Sequence, residues 1–245
     1  MHNDAGVRNP PDVGGCRIQN LSMRVPTPAW SRPLVASAVI GLRRGPALVA
    51  LRKPPAEEEL RALLSTLGSI KPDDETQCTD WSAHDLVAHL AAGSREMAEL
   101  LEAPRPRPTR DLVEREGPYR AMSDRSLRRA FVAEGLRLVS AIERRNTPLL
   151  FTGAELTVDQ VITHARSELV LHRFDLTGGD EIDRVALADP TLFHHAVQVV
   201  ATMDAGVLPP SHGVNDDEPA ARLLGIWGRR PPAHWHSSAG GSTRA

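Results

Sequence analysis

Apolar residues recur at the spacing of an α-helix in several long segments of this chain. The clearest segment covers 83–102, where Ser82 is a favourable N-cap, Asp85 occupies the third helical position, and Pro104 begins a proline-rich stretch. No segment alternates apolar and polar residues over the length of a strand. Because amphipathic helices bury their apolar stripes against one another, the sequence predicts an all-α fold.

The other predicted helices complete a bundle and add helices at its C-terminal end. A long helix follows the N-cap Ser123 and closes before Pro148, and another starts at a capping box formed by Thr157 and Gln160. The polar stretch through Tyr119 is expected to be a loop. The remaining helices are expected over 55–67, from Pro190 onward, and over 219–227.

Both ends of the chain differ in composition from its middle. Residues 1–53 are rich in Pro, Gly, Asn and Arg without a sustained period, and we expect a disordered or loosely attached extension there. Residues 236–245 are expected to form a disordered tail. The helical bundle is therefore predicted to occupy 54–235.

Charge and cysteine content exclude several classes of partner. A net charge of −2 supplies no basic field for nucleic acid or anionic lipid, and the apolar run 34–42 is too short to span a membrane. Cys16 and Cys78 are too few for a disulfide framework, which favours a cytoplasmic location. We therefore expect no nucleic-acid or membrane partner, and a homodimer is left open.

The helix predicted over 158–176 carries His164, Glu168 and His172 at successive i, i+4 spacing. Placing residues at about 100° per step puts His172 inside the apolar stripe and Glu168 at its margin. The same placement puts His164 outside the apolar stripe, on the side expected to face solvent. A carboxylate at the edge of a buried face is costly unless a cation or strong donors compensate it.

His89 lies at the border of the apolar stripe of the helix over 83–102 and is expected to point into the bundle. With Glu168 and His172 it would supply two nitrogen ligands and one oxygen ligand, and would leave an open position on Zn²⁺ or a similar ion. A histidine on an apolar face is more often a hydrogen-bonded core residue. Spacing alone leaves both interpretations open.

Three segments resemble motifs of one protein family. The segment CTDWSAHDLVAHL at 78–90 resembles the opening motif of the mycothiol-dependent maleylpyruvate isomerase family, within the DinB-like superfamily. The segment ELVLHRFDL at 168–176 resembles its second motif, and RLLGIWGRRP at 222–231 is similar to the closing segment of many actinobacterial members. The motifs occur in the family's order.

This resemblance implies a DinB-like four-helix bundle in which His89, Glu168 and His172 match the metal ligands. It also implies zinc and the thiol mycothiol, since members with isomerase activity use both. Those members carry a further α/β domain after the bundle, whereas the residues after Gly179 are too few and too helical for it. The resemblance therefore supports the metal site more firmly than the isomerase reaction.

Three charged residues near these ligands have two interpretations each. Asp85 either orients the imidazole of His89 or serves only as a first-turn carboxylate of its helix. Asp175 raises the same question beside His172. Arg229 either clamps a carboxylate of the substrate or thiol, which would make it catalytic, or satisfies the end of the last helix.

The leading hypothesis is a metal-dependent, mycothiol-dependent S-transferase or isomerase acting on a small electrophilic metabolite. Its partners would be a low-molecular-weight thiol and a small-molecule electrophile, because a divalent ion lowers the pKa of a bound thiol. The alternative is a non-catalytic DinB-like metal-binding or regulatory module. A metal-dependent hydrolase using the same ligands is a third hypothesis.

Overall fold

The computed structural model describes residues 56–103, 105, 107–144, 148–151, 154–202 and 218–236, without the side chains of 154, 201, 202 and 236. The predicted extension over 1–53 and residues 237–245 of the predicted tail lie outside this range. The described chain is mainly helical: α1 Glu57–Leu67, α2 Ala83–Glu102, α3 Leu112–Arg120, α4 Asp124–Arg144, α5 Val158–Thr177, α6 Glu181–Leu187, α7 Pro190–Thr202, α8 Pro219–Ile226 and α9 Ala233–His236. Strands β1 Leu149–Phe151 and β2 Ala154–Leu156 pair antiparallel.

The helix boundaries follow the local signals in the sequence. Both capping boxes are present: Ser82 caps α2 together with Asp85, and Thr157 caps α5 together with Gln160. Helix α5 ends at Gly178, whose φ of 73° lies in the left-handed region that favours glycine. The predicted starts of the two helices that carry the site are therefore confirmed.

Helices α1, α2, α4 and α5 form the bundle. Helix α2 packs against α3, α4 and α5, and α1 packs against α5. Large side chains in this core, including Leu63, Leu86, Leu127 and Phe131, are almost completely buried. The all-α prediction is confirmed, and the small hairpin β1–β2 is the part of the described fold that it missed.

The loop predicted through Tyr119 is wrong, because this stretch contains helix α3. Asp111 caps α3 by accepting a hydrogen bond from the backbone N–H of Glu114 at 2.9 Å. Glu116 and Tyr119 are its buried residues, and Pro118 lies inside it. A helix that buries a carboxylate and a phenol has no apolar stripe, which explains why the sequence pattern did not indicate it.

Helices α6, α7 and α8 pack on the far side of α5 from the bundle core. Together with α5 and α9 they form a further apolar cluster that includes Phe174, Leu187, Leu223 and Trp235. After Gly179 the described residues form helices and no strand. Within the described part of the chain, no helix combines the length and the apolar character that crossing a bilayer requires.

Candidate metal site

Helices α2 and α5 bring the three predicted ligands together inside the bundle. Nε2 of His89 lies 3.3 Å from Oε2 of Glu168, and Nε2 of His172 lies 3.4 Å from the same oxygen. The two imidazole rings are 5.0 Å apart and almost perpendicular, at 74°. The expectation that these side chains converge on one point agrees with this geometry, whereas metal ligation itself stays a prediction.

The other nitrogen of each imidazole is held by a buried carboxylate. Nδ1 of His89 donates to Oε1 of Glu116 at 2.6 Å, and Nδ1 of His172 donates to Oδ2 of Asp175 at 2.9 Å. A carboxylate at Nδ1 selects the tautomer in which Nε2 carries a free lone pair. Both histidines are therefore prepared to act as ligands through Nε2.

Nε2 of each histidine and Oε2 of Glu168 face one another, so either a proton or a metal ion must lie between them. Two ligand atoms about 2.1 Å from a tetrahedral ion lie about 3.4 Å apart, which agrees with the separations of Glu168 from His89 and His172. Two nitrogens and one carboxylate oxygen are a ligand set typical of catalytic zinc, which keeps a further position open. The residues present therefore fit a divalent metal.

The electrostatics of the cluster also favour a cation at this point. Burial raises the pKa of Glu168, but hydrogen bonds from His172 and His89 outweigh it and hold that pKa well below its usual value. Burial lowers the pKa of His172, whereas Asp175 and Glu168 raise it to about 9. Without a metal, His172 thus carries the positive charge that the surrounding carboxylates demand, and a bound ion would replace that proton.

Glu116 is a residue at this site that the sequence pattern did not indicate. Its side chain is only 3% exposed, and Arg120 donates to its second oxygen at 3.0 and 2.7 Å. Arg120 also pairs with Asp85, which accepts hydrogen bonds from Ser82. Asp85 is therefore a capping residue, and the acceptor for His89 comes from α3 instead.

Asp175 connects the site to the C-terminal helices. Arg229 donates to both of its oxygens at 2.7 Å, and the thiol of Cys78 lies 3.2 Å from Oδ2. Burial raises the pKa of Asp175, but Arg229 and His172 lower it by a larger amount. The pKa of Asp175 therefore lies below its usual value, and the carboxylate is ionised. Of the two interpretations left open for Asp175, its contact with Nδ1 of His172 agrees with the orienting one.

Arg229 faces Asp175 and not open space. Its Nη1 also donates to the carbonyl of Trp227 at 3.4 Å, close to the end of α8, as one of the two interpretations expected. The bidentate pair with Asp175 was not anticipated from the sequence. The proposed contact of Arg229 with a substrate or thiol carboxylate stays a prediction.

His164 does not point to solvent, and that prediction is wrong. Its Nδ1 lies 3.1 Å from Nε2 of His195 on α7, its ring meets Phe151 edge-on, and its Nε2 lies 3.9 Å from Glu168. Burial lowers the pKa of both histidines, that of His195 to about 4. Placing residues at about 100° per step had assigned this side of α5 to solvent, whereas α7 and the hairpin β1–β2 cover it.

Arg115 is a further charged residue that the sequence pattern did not indicate. Its Nε is buried and has no hydrogen-bond partner among the described residues. Burial lowers the pKa of Arg115, and Glu96, Glu116 and Glu168 oppose that shift through their charges. Arg115 therefore adds positive charge on the α3 side of the cluster.

The fold and the site define a class of protein: a helical bundle in which two helices share a cluster of histidines and a carboxylate. The sequence profile described as the mycothiol maleylpyruvate isomerase N-terminal domain matches residues 54–177. The chain belongs to this family, as the three motifs predicted.

Two solved structures are similar to the chain. They are the mycothiol-dependent maleylpyruvate isomerase, with a TM-score of 0.45, and a histidine-to-alanine mutant of that enzyme, with a TM-score of 0.47. Each is 15% identical to the chain, and each comparison covers 55% of this chain and 65% of the other. The chain thus spans less than two thirds of their length. No curated protein matches.

Proposed function

We propose that this chain is a metal-dependent, mycothiol-dependent S-transferase or isomerase for a small electrophile. The observation that carries the proposal is the convergence of His89, Glu168 and His172 inside the bundle, with ligand atoms at separations that fit one shared metal ion. Membership of the mycothiol maleylpyruvate isomerase family supports the choice of thiol. We place the reaction in the cytoplasm, where low-molecular-weight thiols stay reduced.

A divalent ion, for which zinc is the best candidate, would bind the thiol sulfur and lower its pKa so that thiolate exists at neutral pH. The chain's own residues provide the support for it. Glu116 and Asp175 hold the two imidazoles in the ligating tautomer, and Arg229 keeps Asp175 ionised and in place. We further propose that Arg229 helps to orient an anionic group of the thiol or substrate.

In the proposed reaction the thiol sulfur forms a bond to an electrophilic carbon, and one π bond of the substrate breaks. If the adduct is released, the protein is an S-transferase. If the former double bond rotates and the same thiol is eliminated, the thiol is regenerated and the protein is an isomerase. The choice depends on the substrate and not on the three ligands.

The test is thiol consumption by the zinc-loaded, full-length protein with mycothiol and a panel of electrophiles. We expect saturable consumption that falls at least about a hundredfold in His172→Ala and Glu168→Gln, because neither variant retains the full ligand set. His194→Ala is the matched control, since His194 is an exposed histidine on α7. Bound metal without thiol consumption would favour the regulatory module, and turnover without thiol would favour the hydrolase; either result would overturn the proposal.

A further inference from the structure

A small cavity adjoins the candidate metal site between α2, α4 and α5. Its volume is about 70 Å³, and His89 and Glu168 form part of its wall. Most of the remaining wall is hydrocarbon from Met97, Phe131, Leu138, Ile162 and similar side chains. A cavity of this size accepts an alkyl group or part of a ring, and not a whole metabolite.

The wall of this cavity offers nothing to neutralise an anion. Among the described residues that line it, Ser94 has the one polar side chain apart from His89 and Glu168, and neither Arg nor Lys is present. Arg115 and Arg229 are not lining residues. A carboxylate placed here would lose its hydration without gaining a cation and would also face the charge of Glu168.

We propose that the electrophile of this chain is a neutral conjugated carbonyl compound whose alkyl substituent enters the cavity. The inference rests on the proposed thiol-dependent function and deepens it, because it assigns a class of neutral substrates to which dicarboxylates do not belong. Because His89 and Glu168 form part of the wall, a substituent in the cavity would lie beside the candidate metal site. Each methylene moved from water into this wall strengthens binding about fourfold.

The covalent step needs no further reagent. The thiol sulfur forms a C–S bond to the β-carbon, and the π pair of the C=C bond moves to the α-carbon through the carbonyl group. The proton lost by the thiol ends on the α-carbon, so the product is a thioether that contains all atoms of both reactants. The cavity holds the β-substituent and thereby fixes which face of the alkene meets the sulfur.

At two glycines, substitution can make the cavity smaller without changing the candidate metal ligands. Gly93 on α2 and Gly135 on α4 both line it, and a Cβ added at either position would meet no atom within 4 Å. Alanine at these positions therefore places a methyl group without a clash and favours the helix. Ala133→Leu is the matched control, because Ala133 lies on the exposed face of α4.

The substrate test compares methyl crotonate with monomethyl fumarate, in which a carboxylate replaces the β-methyl group. Each rate with mycothiol and the zinc-loaded full chain is divided by the uncatalysed rate. We expect methyl crotonate to be favoured at least about tenfold, since the cavity lacks a cation. The double variant Gly93→Ala/Gly135→Ala should lose that preference, and its rate with methyl acrylate, which has no β-substituent, measures any general loss of activity. Ala133→Leu should behave as wild type.

Binding of the saturated analogues, measured by calorimetry, separates this inference from the proposed function. Methyl butyrate should bind the zinc-loaded protein, monomethyl succinate should not, and the double variant should weaken methyl butyrate without losing zinc. If methyl butyrate binds in preference to monomethyl succinate but no thiol is consumed with any electrophile, the role of the cavity is supported and the proposed function is overturned. Equal or faster turnover of monomethyl fumarate would overturn the inference alone. Failure of methyl butyrate to bind would also overturn it.

Discussion

Glu116 on α3 accepts a hydrogen bond at 2.6 Å from Nδ1 of His89 on α2, so a residue of one helix sets the tautomer of a candidate ligand on another. Burial raises the pKa of Glu116, but His89 and Arg120 outweigh it and lower that pKa below its usual value. The carboxylate is therefore ionised and directs the proton of His89 to Nδ1. Helix α3 therefore positions a candidate ligand as well as packing against α2.

Glu116→Gln should weaken zinc binding about tenfold or more, because the charged acceptor that orients His89 is lost while the volume is kept. A competition titration of the purified protein with a chromophoric zinc chelator measures this change. Glu114→Gln is the control, as Glu114 is exposed on the same helix. Equal affinities for the two variants would show that Glu116 does not support a metal ligand.

Arg229→Ala should lower the free energy of unfolding by about 3–5 kcal/mol, since it leaves the buried carboxylate of Asp175 without its cation. Urea denaturation followed by circular dichroism gives the value. Arg230→Ala is the control, because Arg230 is exposed. A change below about 0.5 kcal/mol for Arg229→Ala, as at an ordinary surface position, would contradict the account of this ion pair.

Gly179→Ala should destabilise the docking of the C-terminal helices onto α5. Gly179 has a φ of 94°, and an added Cβ would lie 2.6 Å from Pro232 and 2.9 Å from Phe174. At Gly178, where the nearest atom is 3.5 Å away, alanine should cost about 1–2 kcal/mol for its left-handed conformation alone. The clash at Gly179 should add about 1–3 kcal/mol. Thermal melts that rank the two variants equally would argue against this packing.

Glu96 should make stability depend on pH in the acid range. Burial raises its pKa, but hydrogen bonds from Arg107 and Arg110 lower it below its ordinary value of 4.5. A lowered folded pKa means that the carboxylate stabilises the fold above pH 4.5 and that this contribution is lost as the pH falls through the folded pKa.

The free energy of unfolding of Glu96→Gln should therefore differ most from wild type near pH 7 and approach it as the solution is acidified below pH 4.5. Urea titrations at several pH values provide the comparison, and Glu143→Gln, at an exposed position, serves as the control. A stability difference that stays constant from pH 7 to pH 3 would rule out ionisation of Glu96 as its source.

Helices α2 and α5 could be predicted because their starts depend on local chemistry. The boxes at Ser82 and Thr157 satisfy backbone N–H groups within three residues, so no distant contact is needed to place them. The convergence of His89 with Glu168 could be expected from the border position of each on an apolar stripe. The family motifs strengthened that expectation.

Residues that depend on contacts between distant segments could not be predicted in this way. Glu116 lies in a helix without an apolar stripe, and its partner His89 is 27 positions away in the sequence. The predicted orientation of His164 was wrong because placing residues at about 100° per step assumes that one face of the helix meets solvent. In α5, every residue from Val170 to Asp175 is buried. An inner helix covered on several sides gives a mixed pattern of apolar and polar residues.

The central claim is that His89, Glu168 and His172 hold one divalent ion. Metal analysis by inductively coupled plasma mass spectrometry, on full-length protein dialysed after zinc loading, tests it most directly. The account predicts about one equivalent of zinc per chain in wild type and in His194→Ala, and a large loss in His89→Ala and His172→Ala. Wild-type protein without bound metal, or ligand variants that retain the full equivalent, would contradict it.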